Sequence, residues 1–407
     1  MTSRKAAPLG ALAVICCILI LPFSHLHTLA QQQGDTTKDR SADSRGDATS
    51  QATLDRATGL ALQGDAATAV RTLLAVPASA FQGEQASFRG CMIGRFGPNP
   101  TPIAMVETKD PWIDSLITSY RKYWQRALTR PAERVEAEIA LRQDVASLLS
   151  MTRLSDEDLD KAEDKIKARA KRAGFHMLLG RTQPLRELMV WRKLTVKQQR
   201  VQLPEGMHTV KVRYLDDFVV RGWGHYATCG RRSAGGWATE DGLFAVVPAY
   251  KSLSDETFSI RFLAHETQHF ADKQKYKHLE GWELEYRAKL VELIMSDATQ
   301  DSTLELFCEN RSPQKDSAHA YANFRVVQDV SEELNLAHGT DICTPGSPRG
   351  QALRDAARVA LRKDSSRRNS QSTSIRPLRL SVRPPLIDLA CGAMRPVTTK
   401  QNTKGAQ

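Results

Sequence analysis

The residues in this chain best suited to chemistry are His265, Glu266 and His269, which form an H-E-x-x-H pattern. Two histidines four positions apart lie one above the other on a helix face, so both imidazoles can reach one metal ion. A glutamate between them lies beside that ion, where it can accept a proton from a water molecule. The pattern therefore predicts a zinc site with Glu266 as the general base.

The residues around the pattern favour the helix that this chemistry requires. The segment 254–256 supplies an N-cap and acidic first-turn residues, and neither proline nor glycine occurs between residues 254 and 280. Large apolar residues recur at helical spacing, at Phe258, Phe262, Leu263 and Phe270. The alternative is an amphipathic helix whose histidines face solvent or a satisfied core.

A catalytic zinc site usually has three protein ligands and one open position. The metzincin arrangement needs a glycine and a third histidine shortly after the motif, but this chain has Asp272 and Lys275 there. A second helix is predicted after Gly281, and it offers glutamates instead. The third ligand is therefore expected from that helix.

Three glutamates compete for this role: Glu283, Glu285 and Glu292. Arg287 and Lys289 lie four residues after the first two, so surface ion pairs would also explain those glutamates. Glu292 lies seven residues beyond Glu285, on the same helix face. Spacing alone leaves all three open.

The run Glu285-Tyr286-Arg287-Ala288 resembles the E-x-x-A(-D) element of HtpX-like zinc peptidases, which belong to the gluzincins. The resemblance implies that Glu285 is the third zinc ligand and that the chain hydrolyses peptide bonds. It covers about thirty residues, and Lys289 stands where the family pattern carries aspartate.

Other polar residues could support such a site. Asp272 shares a face with His269 and could orient a histidine, or it could be an exposed acid. His319 and Tyr321, on a further predicted helix, are candidates to stabilise the oxyanion of a tetrahedral intermediate. His278 lies among lysines in a connecting segment and is expected at the surface.

The N-terminus has the order of a secretory signal peptide over residues 1–30: a charged start, an apolar run from Ala11 to Phe23, and a short polar segment. Export is therefore expected, into the periplasm or beyond the cell, with an uncleaved membrane anchor as the alternative. Five cysteines follow this segment, and Cys308 with Cys343 is the disulfide to test first.

Composition predicts the organisation of the rest. Residues 31–51 are polar and predict a flexible linker, and residues 52–200 predict a mainly helical region. Within that region, residues 61–70 suggest a helical hairpin, residues 81–102 suggest a loop, and the aromatic residues are expected in the core. Residues 201–346 predict the catalytic domain.

Strands are expected just before the motif. Residues 208–214 alternate with period two, and residues 218–223 and 243–247 are further candidates. A small sheet followed by active-site helices is an α+β arrangement of zincin type. The last strand, at 243–247, is expected to line the cleft and to pair with an extended substrate.

The excess positive charge lies near the C-terminus. Residues 349–407 carry thirteen Lys/Arg against three Asp/Glu, which is +10 of the chain's formal +11. Residues 347–407 therefore predict a basic, disordered tail that could touch anionic surfaces. Aromatic residues do not interleave with these charges, so a nucleic-acid site is not indicated.

Together these patterns predict an exported zinc metallopeptidase that acts on peptides or proteins. The alternative is a non-catalytic binding or scaffold protein with a structural zinc site, and a weaker one is hydrolysis of a non-peptide bond. The sequence sets neither substrate preference nor oligomeric state.

Overall fold

The computed structural model describes residues 40–239, 241–315 and 317–374, with side chains between residues 49 and 370. The described residues up to Lys363 belong to one compact unit, and a second unit begins at Asp364. Helices and one five-stranded sheet make up the described chain, which confirms the predicted α+β class. The predicted signal peptide, residues 1–30, lies outside the described residues.

Helices form the N-terminal part: α1 (Arg40–Leu62), α2 (Ala66–Leu74), α3 (Gly83–Phe96), α4 (Pro111–Thr129), α5 (Arg134–Leu148) and α6 (Asp156–Arg172). Residues 40–51 belong to α1, so the prediction of a flexible linker was wrong for them. They lack large apolar side chains, but they continue a helix that Leu54, Ala57 and Ala61 anchor in the core.

The predicted helical hairpin at residues 61–70 is confirmed. Gly64 adopts a φ of 85°, a left-handed conformation that glycine reaches without strain, between the ends of α1 and α2. Asp65 then caps α2, because its carboxylate accepts a hydrogen bond from the Thr68 backbone N–H at 2.9 Å.

The predicted loop at residues 81–102 was wrong, because α3 occupies most of it. Phe88, Met92 and Phe96 recur every four residues, and all three are buried in the helical core. A disulfide joins Cys91 on α3 to Cys229 and fixes the helix to a distant part of the chain. Tertiary packing therefore outweighs the glycine content of this segment.

The sheet consists of β1 (His176–Thr182), β2 (Leu185–Leu203), β3 (Gly206–Arg221), β4 (Gly236–Thr239) and β5 (Gly242–Val246). Its strand order is β1-β2-β3-β5-β4. The pairing of β3 with β5 is parallel, and the other pairings are antiparallel. A short helix, α7 (Gly222–Ala227), separates β3 from β4.

The predicted helical region was too long, since residues 176–200 lie in β1 and β2. The first seven residues of β2 are all buried, including Arg186 and Glu187, so polar and apolar residues do not alternate along them as they do in a half-buried strand. Pro184, in the two-residue turn before β2, was the available signal for a hairpin.

The strand predicted at 208–214 is confirmed as part of β3, and the one predicted at 243–247 is confirmed up to residue 246 as part of β5. Residues 218–223 divide between β3 and α7. The expectation that 243–247 would line the cleft as an edge strand was wrong. β5 pairs with β3 on one side and with β4 on the other, so β4 forms that edge of the sheet.

The C-terminal helices are α8 (Glu256–Phe258), α9 (His265–Lys275), α10 (Gly281–Met295), α11 (Gln300–Glu309), α12 (Ala318–Glu333) and α13 (Gln351–Ser374). A π-helical segment, Ser259–Ala264, joins α8 to α9. These helices and the ends of β2, β3 and β5 enclose a second apolar core.

The disulfide expected between Cys308 and Cys343 is confirmed, and it ties α11 to the segment after α12. The prediction of a disordered tail was wrong for residues 351–374, which form α13. Leu353, Ala357 and Leu361 recur at helical spacing and are buried in the second core. The rest of the predicted tail, from residue 375, lies outside the described residues.

None of the helices in the described residues is long and apolar enough to cross a membrane.

Candidate metal centre

The residues just before the H-E-x-x-H pattern cap its helical segment and pack it into the core. The Asp255 carboxylate accepts a hydrogen bond from the Phe258 backbone N–H at 3.0 Å and so caps α8. Phe258 and Phe262 are buried and pack against each other with ring centroids 5.6 Å apart. The π-helical segment ends directly before His265, and such turns are frequent at functional sites.

Two helices bring three potential ligands together at one buried point. His265 and His269 lie one turn apart on α9, and α10 supplies Glu285. The three side chains are 0–2 % exposed. The Nε2 atoms of His265 and His269 lie 3.5 Å and 3.3 Å from the two carboxylate oxygens of Glu285.

This arrangement fits a metal ion. In a tetrahedral site with bonds of about 2.0–2.1 Å, ligand atoms are about 3.3–3.4 Å apart, and each Nε2 lies at about that distance from one of the two Glu285 oxygens. Neither Nε2 atom has a hydrogen-bond partner among the described residues, although both are buried. Burying an unsatisfied polar atom is costly, and metal coordination would remove the cost. His265, His269 and Glu285 could therefore hold a metal ion.

A second carboxylate orients His265 from its other side. Glu292 lies on α10 two turns after Glu285, and its Oε1 is 2.6 Å from Nδ1 of His265. An imidazole that donates from Nδ1 to a carboxylate leaves Nε2 free for a metal. Glu292 was a competing candidate for the third ligand, and the structure places it behind the histidine instead.

The two histidines have opposite electrostatic environments. Burial lowers the pKa of His265, but Glu285 and Glu292 outweigh it and raise that pKa to about 10. Burial lowers the pKa of His269 to about 4, against the opposing effect of Glu285. Burial alone would raise the pKa of Glu285, but the charges of His269 and His319 hold it well below its usual range. The ligand carboxyl is thus ionised.

Glu266 is completely buried beside these ligands, and neither of its carboxylate oxygens has a hydrogen-bond partner among the described residues. Burial raises its pKa to about 8, which the nearby charge of His265 only partly offsets. A buried carboxyl with no protein partner is costly, so its polar atoms are available for a ligand or for water.

Of the two candidates on α12, His319 reaches the centre. Its Nδ1 lies 2.9 Å from Glu285 Oε2, and its side chain is 42 % exposed. The ring of Tyr321 packs edge-on against Trp282, with centroids 5.0 Å apart. The structure thus joins His319 to the potential ligands, whereas Tyr321 belongs to an aromatic contact between α10 and α12.

Asp272 is buried but binds a different group from the one expected. Its Oδ2 accepts a hydrogen bond from Nε of Arg287 at 2.9 Å, and Arg287 also pairs with Glu205. Asp272 therefore ties α9 to α10 rather than holding a histidine. Arg287 is fully buried, so its contacts are not those of a surface ion pair.

The remaining glutamate candidate has a structural role. Glu283 Oε2 accepts a hydrogen bond from the Glu280 backbone N–H at 2.8 Å and completes a capping box at the start of α10. The partnership of Glu292 with His265 was not predicted. The sequence signal for this contact was the seven-residue interval between Glu285 and Glu292, which places their carboxylates on one helix face.

His278 is exposed, as expected from its lysine-rich surroundings. No protein-family model, curated protein or solved structure matches this chain.

Proposed function

We propose that this chain is a zinc-dependent hydrolase of peptide bonds. The observation that carries the proposal is the burial of two imidazoles and one carboxylate around a single point, next to the carboxyl of Glu266, which has no hydrogen-bond partner in the described part of the chain. A two-histidine, one-glutamate set that leaves one position open is a common donor set for catalytic zinc.

Zinc held by His265, His269 and Glu285 would polarise a peptide carbonyl and lower the pKa of a coordinated water. The charge of a nearby zinc ion would lower the pKa of Glu266, and its carboxylate would then accept a proton from the attacking water and pass it to the leaving amine. Glu292 would hold the ring of His265 in place through Nδ1. His319, partly exposed and beside Glu285, is the group that we assign to the oxyanion.

The edge of the sheet offers a place for an extended substrate. β4 pairs with β5 along one side only and lies next to α9. A peptide that added to this edge would gain backbone hydrogen bonds and pass beside the candidate centre. We therefore propose β4, in place of β5, as the strand that binds substrate.

Export of the protein is part of the proposal. The disulfides Cys91–Cys229 and Cys308–Cys343 support it, because disulfides persist mainly in oxidising compartments. A secreted or periplasmic protein and one held by an uncleaved N-terminal segment would both satisfy this condition.

The test is hydrolysis of a complex peptide mixture by the full chain and by Glu266→Gln, each loaded with zinc. Gln keeps the volume of the side chain but cannot accept the proton, so we expect turnover to fall about 10²–10⁴-fold while zinc content stays unchanged. Mass spectrometry of the products measures turnover, and metal analysis of each protein measures zinc content. Equal cleavage by the two proteins would refute the mechanism. Absence of cleavage by both, with zinc bound, would favour the non-catalytic alternative.

A further inference from the structure

A cavity of about 430 Å³ lies beside the candidate metal centre. His319, which touches Glu285, forms part of its wall, and so do Ser233 and Ala234 just before β4. The cavity therefore adjoins both the potential metal ligands and the start of the free sheet edge. Its volume is at the lower end of the range for small-molecule pockets, about 300–1,000 Å³. It suits one or two residues of a peptide better than a folded partner.

Two arginines in the wall have no carboxylate partner among the described residues. Arg221 makes one long hydrogen bond, from Nη1 to the Pro248 carbonyl oxygen at 3.4 Å. Arg232 lies near Asp55, but the carboxylate of Asp55 is bound by Arg231 at 2.8 Å. Both guanidiniums are partly buried, and burial lowers the pKa of each.

The other charged groups in the wall do not neutralise this pair. Arg181 is a third cation, and its guanidinium is already bound to Glu138. His225 is held neutral, because burial together with Arg221 and Arg95 lowers its pKa to about 4.

Glu187 is the carboxyl in the wall, and it is committed to the backbone. Its Oε1 accepts hydrogen bonds from the N–H groups of Leu188 and Trp223, both at 2.9 Å. Burial raises its pKa to about 7, so part of its charge is lost at neutral pH. The cavity therefore presents a net positive wall.

We propose that this cavity is a subsite for a carboxylate of the peptide substrate, bound by Arg221 and Arg232. A guanidinium offers a planar fork of N–H donors that matches a carboxylate, and an anion would remove the cost of two partly buried, unpaired cations. The inference extends the proposed peptidase function, since it names acidic peptides as the preferred substrates. The carboxylate can come from an acidic side chain or from the C-terminus of the peptide.

The first experiment measures binding and needs no catalysis. Short acetylated alanine peptides with a fluorescent label are titrated into the full chain carrying Glu266→Gln. One peptide has an internal glutamate and an amidated end, the second has glutamine and an amidated end, and the third has glutamine and a free C-terminus. We expect a carboxylate to tighten binding at least about tenfold over the amidated glutamine peptide. If the first peptide binds more tightly than the third, the carboxylate comes from an acidic side chain. If the third binds more tightly, it comes from the C-terminus.

The second experiment places the binding in the cavity. Arg221→Gln and Arg232→Gln should each remove most of the preference for carboxylate. Arg→Lys at either position should restore part of it, because lysine keeps the positive charge but lacks the planar fork of N–H donors. Arg192→Gln is the matched control, since Arg192 is exposed and pairs with Asp217 outside the cavity wall. Melting temperatures confirm that the variants are folded.

Two results would overturn the inference. One is equal binding of the three peptides, which needs no variant and so cannot be blamed on misfolding. The other is a carboxylate preference that survives in both folded arginine variants. If the glutamate peptide binds through the arginines but no zinc-loaded protein cleaves any peptide, the subsite stands and the peptidase proposal fails. If the zinc-loaded protein cleaves peptides without regard to acidic residues, the peptidase proposal stands and the subsite fails.

Discussion

At the scale of single residues, the centre depends on two carboxylates that flank one imidazole. Glu285 lies 3.5 Å from Nε2 of His265, and Glu292 lies 2.6 Å from Nδ1 of the same ring. Only Glu285 can share a metal ion with His269, because Nδ1 and Nε2 lie on different sides of the His265 ring. Glu292 instead lies where it would hold a proton on Nδ1 and leave Nε2 for a metal ion.

This division of roles predicts the effect of Glu292→Gln. The amide can still accept a hydrogen bond from Nδ1 but has no charge, so we expect zinc affinity to fall about 10–100-fold without loss of the site. Competition with a chromophoric chelator measures the affinity. Hydrolysis at saturating zinc should persist. Unchanged zinc affinity in a folded Glu292→Gln protein would contradict the assigned role.

At the scale of elements, the centre depends on how closely α9, α10 and β4 pack together. Gly236, the first residue of β4, lies where a Cβ atom would be 2.2 Å from the Phe244 carbonyl oxygen and 2.3 Å from the ring of Phe262. Phe262 belongs to the π-helical segment that precedes His265. The lack of a side chain at Gly236 therefore allows the sheet edge to approach the helix that carries His265 and His269.

We expect Gly236→Ala to destabilise the protein by about 1–3 kcal/mol, because both neighbours must move. Thermal unfolding measures the effect, and reduced zinc retention should accompany it. The matched control is Gly90→Ala, since a Cβ at this helical glycine meets nothing within 4 Å and alanine favours a helix. A melting temperature for Gly236→Ala equal to that of the parent would show that β4 is not packed as described.

Local patterns in the sequence predicted α9, α10 and the ligands His265 and His269, because a short-range spacing defines each of them. Only the resemblance to HtpX-like peptidases favours Glu285 over Glu283 and Glu292, and the structure brings Glu285 to the histidines. The strand β2 was missed because its start is buried on both faces, which removes the period-two signal. The helix α3 was missed because contacts distant in sequence stabilise it.

At the scale of the whole molecule, Arg186 on β2 joins the N-terminal helices to the sheet. Its side chain is 2 % exposed and pairs with Glu138 on α5 and with Asp156 and Asp160 on α6. Its backbone N–H also donates to the hydroxyl of Tyr123 on α4 at 3.1 Å. The sequence showed only scattered charges here, because the partners are far apart along the chain.

We expect Arg186→Gln to lower the free energy of unfolding by about 3 kcal/mol, since it takes from the buried Glu138 the most deeply buried of its cationic partners and leaves only Arg181 and Arg142. Arg192→Gln, which breaks an exposed pair, should cost less than about 1 kcal/mol. Urea denaturation followed by tryptophan fluorescence compares the two. Similar midpoints for both variants would show that this network does not unite the helices with the sheet.

The proposed metal centre is tested most simply by the zinc content of the purified full chain after metal is supplied. The parent is compared with Glu285→Gln and with Glu283→Ala. Circular dichroism establishes that each protein is folded, and metal analysis gives zinc per chain. We expect about one zinc in the parent and in Glu283→Ala, and a clear loss in Glu285→Gln. A folded parent that binds no zinc, or a Glu285→Gln protein that binds as much as the parent, would contradict the proposed centre.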